Sequence, residues 1–297
     1  MAGEQASPPR RGAGAGAGIS GYGIGGVDTL ISVEDVAREA AKLAENAPKP
    51  EQIAALANDA PLLVLDDLAA GYGKAEILHG VNLQVAAGQS LCLVGPNGAG
   101  KSTVLHSIYG FTRITRGRVA IGGRNVTAMP PNEKLKGAGI AYILQDNSVF
   151  PEMTVEENLW MGGFLMPSPA DAKRATERIF DKYARLAARR RQPARVLSGG
   201  ERRLLEIARA LVMDPKVLLV DEPSIGLEPR FIDMVFEILT ELQRRDGKTI
   251  VMVEQNAKKG LEFADLGYVL VAGQVARAGR GADLLADPDV ARLFLGG

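Results

Sequence analysis

The chain has 297 residues, 46% of them apolar, with 35 Lys+Arg set against 35 Asp+Glu. That is ample for a buried core, and the even charge balance excludes a protein that holds nucleic acid through bulk charge. A single cysteine, Cys92, excludes a disulfide framework, and no run of about 18 apolar residues is present to cross a bilayer.

Residues 1–27 are low in complexity: Gly and Ala alternate over 12–18, beside a Pro8-Pro9-Arg10-Arg11 cluster. Such a stretch buries too little surface to order itself, so a flexible tail is expected, without the apolar core and cleavage site of a secretory signal. Ser32 is placed to cap a helix over 33–45, whose apolar face carries Val33, Val36, Ala40, Leu43 and Ala44. Pro48 and Pro50 end it, and 51–57 has room for another turn or two. Residues 1–60 are therefore read as a tail plus a short helical extension.

From Pro61 the texture changes to short β-like runs divided by glycine. Strands are expected at 62–68 and 81–85, separated by Gly71-Tyr72-Gly73, and again at 90–94. A helix should follow at 101–109, then strands at 118–121 and 140–144, the latter closed by Gln145. The next stretch turns helical, at 155–161, 170–188 and 201–213. Beyond it strand and helix alternate again: strands at 217–221, 249–253 and 268–271, helices at 229–244 and 256–264. Apolar strands alternating with helices imply an α/β protein with a mostly parallel sheet covered on both faces. The helical stretch at about 146–214 should be a subdomain mounted on that sheet.

Three motifs carry chemistry. Gly95-Pro96-Asn97-Gly98-Ala99-Gly100-Lys101-Ser102-Thr103 follows an apolar strand and opens a helix. Its glycines let backbone N–H groups curl around a phosphate, and the helix start adds unpaired donors. Lys101 then neutralises the outer phosphates, and the Ser102 hydroxyl can ligate Mg²⁺. Val217 to Asp221 is a buried strand ending in the acids Asp221 and Glu222. On a strand neighbouring the phosphate loop, Asp221 would hold Mg²⁺ through water, and Glu222 would polarise water for attack on the γ-phosphate. Leu197-Ser198-Gly199-Gly200-Glu201 precedes a long helix and offers a second anion cradle. One nucleotide cannot fill two cradles so far apart, which points to a two-fold dimer closing each loop over the other copy's nucleotide. Ser198 acting as a plain helix cap is the alternative.

In this order and spacing the three motifs resemble the nucleotide-binding subunits of ABC transporters, over roughly residue 62 onward. The resemblance implies a P-loop NTPase core of ABC type at 61–297, with antiparallel strands at its N-terminal side and the inserted helical subdomain. By that resemblance Tyr72 stacks on adenine, and Gln145 reaches Mg²⁺ and the attacking water. Ser198, Gly199 and Gly200 form the signature loop, and residues 224–228 form the loop where two protomers meet. Gln255 stands where the family usually places a histidine against the γ-phosphate; it can donate a hydrogen bond but carries no proton.

The run Val253-Glu254-Gln255-Asn256, the stretches 153–163 and 221–229 and the ending 281–297 further resemble the branched-chain amino acid importer ATPases. Glu201 and Gln145 are departures, at positions where the family often has glutamine and those importers often have glutamate. The implied function is an ATP hydrolase that drives uptake of branched-chain or other small amino acids, with urea or short amides as the runner-up solutes. Its implied partners are a second ATP-binding subunit, identical or related, transmembrane permeases and a periplasmic solute-binding protein. The implied location is peripheral, on the cytoplasmic face of the inner membrane. A soluble ABC-type ATPase acting on ribosomes, DNA or protein complexes is the other reading, but one phosphate loop and no sustained heptads speak against it. A P-loop kinase or GTPase leaves the signature loop unexplained. The arginines at 189–191, 195 and 202–203 read as a solvated helical face, His79 as a loop residue and His106 as a helix-face residue.

Overall fold

The computed structural model describes residues 47–57, 60–145 and 148–294. The tail expected at 1–27 and the helix expected at 33–45 lie outside the described residues. A short helix α1, Pro50–Ala55, begins with proline at its first position, where no backbone N–H is needed, and buries Ile53.

β1 (Pro61–Tyr72) and β2 (Ala75–Ala86) are antiparallel, and β1 also pairs with β4 (Arg113–Ile121), which continues to β5 (Arg124–Asn125). These four strands form one sheet in the order β2-β1-β4-β5. β1 runs past the expected end at Leu68 because its register shifts at Asp66-Asp67, where Asp67 has φ 46°. After that bulge Leu68, Ala69 and Ala70 are all buried, so alternation stops although the strand does not.

The second sheet has six strands in the order β10-β9-β3-β8-β7-β6. β3 (Ser90–Val94) lies between β8 (Thr249–Val253) and β9 (Leu266–Val271), and β7 (Val217–Asp221) lies between β8 and β6 (Ile140–Ile143), all in parallel. Only β10 (Gln274–Arg280) runs antiparallel, on β9. The expected mostly parallel sheet with antiparallel strands on its N-terminal side is present. Every residue of β3, β7 and β8 is buried. Their alternate side chains divide between two cores: Cys92, Val94, Leu218, Val220 and Met252 face one, Leu91, Leu93, Leu219, Val251 and Val253 the other. Cys92 is a packing residue, its thiol pushed up in pKa by burial.

α2 (Lys101–Tyr109) follows β3, and α3 (Pro131–Ala138) precedes β6. The helical stretch holds α4 (Val155–Gly162), α5 (Pro169–Lys182), α6 (Ala184–Ala188), a single 3-10 turn Ala194–Val196 and α7 (Gly199–Leu211). The one helix expected at 170–188 is two, because Tyr183 leaves helical geometry at φ −118°, ψ 81°. The break lets Tyr183 and Leu186 both enter the core. α8 (Pro229–Arg244), α9 (Ala257–Phe263), α10 (Gly281–Ala286) and α11 (Pro288–Phe294) complete the described chain. Among the described residues no helix is long and apolar enough to cross a membrane.

Candidate nucleotide site

The glycine loop between β3 and α2 is shaped by backbone that side chains reject. Gly95, Gly98 and Gly100 have φ +145°, +79° and +96°. A Cβ at Gly95 would stand 2.1 Å from the Leu270 carbonyl oxygen, so the loop presses on β9 where only hydrogen fits. Lys101 is 7% exposed and its ammonium donates to the carbonyls of Gly95 (2.9 Å) and Pro96 (3.0 Å). Burial holds Lys101 below its ordinary pKa, with Glu222 and Asp221 opposing the shift.

The acids arrive from β7. The expected adjacency of this strand to the phosphate loop is corrected: β8 intervenes, and β7 is the next strand but one from β3. The sites still meet, because α2, which starts at the phosphate loop, packs over β8 and β7, and the Ser102 hydroxyl donates to Asp221 Oδ1 at 3.1 Å. Tyr142 on β6, absent from the sequence reading, donates its hydroxyl to Asp221 Oδ2 at 2.7 Å. Glu222 has φ 43°, a left-handed conformation costly for a side chain with a Cβ, and its N–H donates to the Val253 carbonyl at 2.8 Å. Gln145 Nε2 donates to Glu222 Oε2 at 2.9 Å. Gln255 is exposed just past β8, while its neighbour Glu254 is buried and accepts from Ser224 Oγ and the Asn256 N–H.

Tyr72, 44% exposed, ends β1 above the glycine loop, with its hydroxyl bonded to His106 Nδ1. His106 is on α2 as expected and stands edge-on to Tyr72, Phe111 and Tyr142. Burial lowers its pKa, opposed by Asp221. An open cleft of about 320 Å³ is lined by Tyr72, Ile77, Asn97, Gly98, Gly100, Lys101, Ser102, Thr103 and Glu222.

Ser198 caps α7: its hydroxyl accepts from the Glu201 N–H at 3.2 Å, and Glu201 Oε2 accepts from the Ser198 N–H at 3.0 Å. The acidic residue at position 201 thus completes a reciprocal cap, and the Ser198 N–H holds its carboxyl below the usual value. The two glycines after it differ. A Cβ at Gly200 would meet the Phe231 ring at 2.2 Å, whereas one at Gly199 has nothing nearer than 3.8 Å. Ser198 and Gly199 are exposed, and Gly199 lines a separate cleft of about 300 Å³ with Gln145, Arg202, Arg203, Glu206 and Ile225.

Two expectations fail here. Arg203 is not on a solvated face but 5% exposed and paired with Glu206. Other arginines of that stretch are engaged within the chain, Arg189 with Glu201 and Arg190 with Glu156 and Glu177. His79 belongs to β2 rather than a loop, bonded to Glu76. Position 203 had a usable signal, since Leu204, Leu205, Ile207 and Ala208 surround it on a helix and all are buried.

The phosphate cradle, the converging hydroxyl and carboxylate and the six-stranded sheet define a P-loop nucleoside-triphosphatase. Comparison with known proteins makes this specific: the ABC transporter family model matches residues 78–225. The chain belongs to the ABC transporter ATP-binding family, and with it binds nucleotide and hydrolyses ATP. It is 40% identical to the high-affinity branched-chain amino acid transport ATP-binding protein BraG of Pseudomonas aeruginosa, over 80% of this chain and 100% of that one. It is 38% identical to the probable branched-chain amino acid transport ATP-binding protein LivF of Archaeoglobus fulgidus (77% and 96% covered). It is also 34% identical to the lipopolysaccharide export ATP-binding protein LptB of Acidithiobacillus ferridurans (79% and 97%). Among solved structures it matches the ADP conformation of an ABC transporter ATP-binding cassette, with TM-score 0.70 and 31% identity over 80% of this chain and 99% of that one. It also matches a dimeric cassette bound to ADP and Pi, with TM-score 0.63 and 25% identity (73% and 98% covered).

Proposed function

We propose that this chain is the ATP-hydrolysing subunit of an importer for branched-chain or other small amino acids, working as a pair with a second ATP-binding subunit, identical or closely related. The observation that carries the pairing is the placement of the two anion cradles. Ser198 and Gly199 stand exposed, and Gly199 lines a different cleft from the one that holds Lys101 and Gly98. Each becomes useful to a nucleotide when another protomer, turned by two-fold symmetry, supplies the missing half.

In this reading Tyr72 stacks on adenine, the backbone N–H groups of 97–103 cradle the phosphates, and Lys101 holds their outer oxygens. Glu222 aligns the attacking water with Gln145 hydrogen-bonded to it, and Gln255 takes the place of the family's histidine towards the γ-phosphate. Ser102, Gln145 and Asp221 would hold Mg²⁺. Their oxygen donors suit a hard cation, which when bound neutralises charge on the β- and γ-phosphates. Among the described residues no cluster of three or more His, Cys, Asp or Glu forms a metal cage.

Residues 1–60 are read as an extension, 61–297 as the nucleotide-binding domain, and about 146–214 as the helical subdomain that engages separate permease subunits at the cytoplasmic face of the membrane. Support for the engagement comes from a cleft of about 510 Å³ on that subdomain, where half-exposed Trp160 and Met161 and the 78% exposed Phe164 stand together. A periplasmic solute-binding protein would deliver the solute. The solute class follows the likeness to the branched-chain amino acid transport proteins BraG and LivF, and the import direction follows the motif resemblance to importer ATPases; the likeness to LptB favours an export complex as the second reading.

Two variants test the chemistry. Lys101→Ala should abolish ATP turnover, and Glu222→Gln should bind ATP yet hydrolyse it about a thousandfold more slowly. Near-wild-type hydrolysis by Glu222→Gln would remove Glu222 from the role of base. Co-purification from a membrane extract with polytopic permeases of amino acid importers would support the importer reading, and recovery with lipopolysaccharide-export components would overturn it.

A further inference from the structure

Arg203 and Glu206 lie one turn apart on α7, each side chain 5% exposed, with Arg203 Nη1 donating to Glu206 Oε2 at 2.7 Å. Withdrawing two charges from water costs about as much as their attraction returns, so a buried pair is a poor device for stability and a good one for holding geometry. The further bonds of this pair all go to segments that carry the proposed chemistry. Arg203 Nη1 also donates to the Leu144 carbonyl (2.9 Å), the residue before Gln145. Arg203 Nη2 reaches the Asp221 carbonyl (3.5 Å), the residue before Glu222. Glu206 Oε1 accepts from the Ser148 N–H (3.1 Å), and Arg209, the next residue along the same face, donates to the Ser148 carbonyl. One helix face therefore grips both flanks of the loop bearing Gln145 and the end of the strand bearing the acids. The same helix begins at Ser198 and Gly199.

We infer that the Arg203–Glu206 pair is a positioning clamp: it fixes Gln145 against Glu222 according to where α7, and hence the signature loop, is seated. This rests on the reading of Gln145 and Glu222 as hydrolytic residues. The clamp ties one protomer's water-aligning pair to the loop that it presents to the other protomer's nucleotide. The guanidinium serves three acceptors at once from a planar fork, which a lysine ammonium at the same position cannot reproduce.

The test is the double variant Arg203→Met/Glu206→Gln, which removes both charges without stranding either and leaves an acceptor for the Ser148 N–H. Arg203→Lys accompanies it. The full-length proteins are compared by thermal unfolding, by affinity for a fluorescent ATP analogue, by steady-state ATP hydrolysis, and by amide exchange of the segment 144–148. The clamp predicts a folded double variant with unchanged nucleotide affinity, faster exchange in that segment and kcat lowered about tenfold or more, the scale set by misplacing catalytic groups by an ångström or less. Arg203→Lys should recover little of the rate. A double variant with wild-type kcat and wild-type exchange would overturn the clamp. So would a loss of affinity and kcat in step with a fall in Tm, since that is what a purely structural pair would do. Failure of the underlying reading looks different: there Glu222→Gln itself keeps hydrolysing ATP, whereas failure of the clamp alone leaves Glu222→Gln inert.

Discussion

Replacing Tyr142 by Phe removes one hydroxyl and nothing else from the neighbourhood of Asp221. That carboxylate is 4% exposed and takes hydroxyl donors on both oxygens, Ser102 at 3.1 Å and Tyr142 at 2.7 Å. Burial, with Asp221 beside it, pushes the Tyr142 hydroxyl well above its ordinary pKa, so it remains a donor. The ring is held by stacking on Tyr109 and by edge contacts from His106 and Phe111, and it should stay in place in the variant. A hydrogen bond to an ionised group contributes about 1.5–3 kcal/mol. For a domain of this size each kcal/mol moves Tm by about 2–4 °C, so the variant should melt at least roughly 3 °C lower. Freed on one side, Asp221 should also hold Mg²⁺ less well, raising the half-saturating Mg²⁺ concentration for ATP hydrolysis about tenfold, as loss of an outer-shell partner does elsewhere. The assay is a Mg²⁺ titration of hydrolysis at saturating ATP beside a melting curve. Unchanged Tm and unchanged Mg²⁺ dependence together would refute the role given to this hydroxyl.

The signature glycines should separate by readout. Gly200→Ala drives a Cβ to 2.2 Å from the Phe231 ring and should lower stability by about 1–3 kcal/mol in denaturant titration. Gly199→Ala meets nothing nearer than 3.8 Å and should leave stability within about 1 kcal/mol of wild type while slowing ATP turnover. Equal stability losses in the two would contradict this. Lys134 supplies a pH signature. Fully buried, it donates to the Ile108 carbonyl at the C-terminus of α2, and burial lowers its pKa to about 8. Between that value and about 10.4, the unfolded chain binds a proton that the folded chain releases, so this residue makes stability rise with pH. Below pH 8 its contribution is flat. The wild type should therefore gain about 1–3 kcal/mol over Lys134→Met between pH 7.5 and 10, measured by urea unfolding at both values. Parallel pH profiles for the two proteins would contradict the assignment.

The parallel sheet was legible because buried strands such as β7 are apolar runs, here Val217 to Val220, that turn polar only at the C-terminal residue Asp221. β4 was read too short because its first five residues, Arg113 to Gly117, are mostly polar and exposed, and only pairing with β1 makes them strand. α3 was missed since Pro130-Pro131 reads as a breaker, although proline suits a first turn. Within the candidate site, the motif residues announced themselves by spacing. Tyr142 and Glu206 did not, and the apolar neighbours of Arg203 signalled its burial but not its partners, because these roles lie in tertiary contacts to backbone and to Asp221 that no local pattern encodes. Ser198 had two readings, cap and nucleotide contact, and the structure shows the cap directly while leaving its neighbour Gly199 exposed.

The composite site is tested most directly by a crystal structure of Glu222→Gln with ATP and Mg²⁺, prepared with its companion ATP-binding subunit if that subunit is a different chain. The account predicts two protomers related by a two-fold axis, with the γ-phosphate on Lys101 also contacted by the signature loop, Ser198 and Gly199 or their equivalents, of the opposite protomer. A triphosphate enclosed by one protomer alone, with Ser198 facing bulk water, would contradict it.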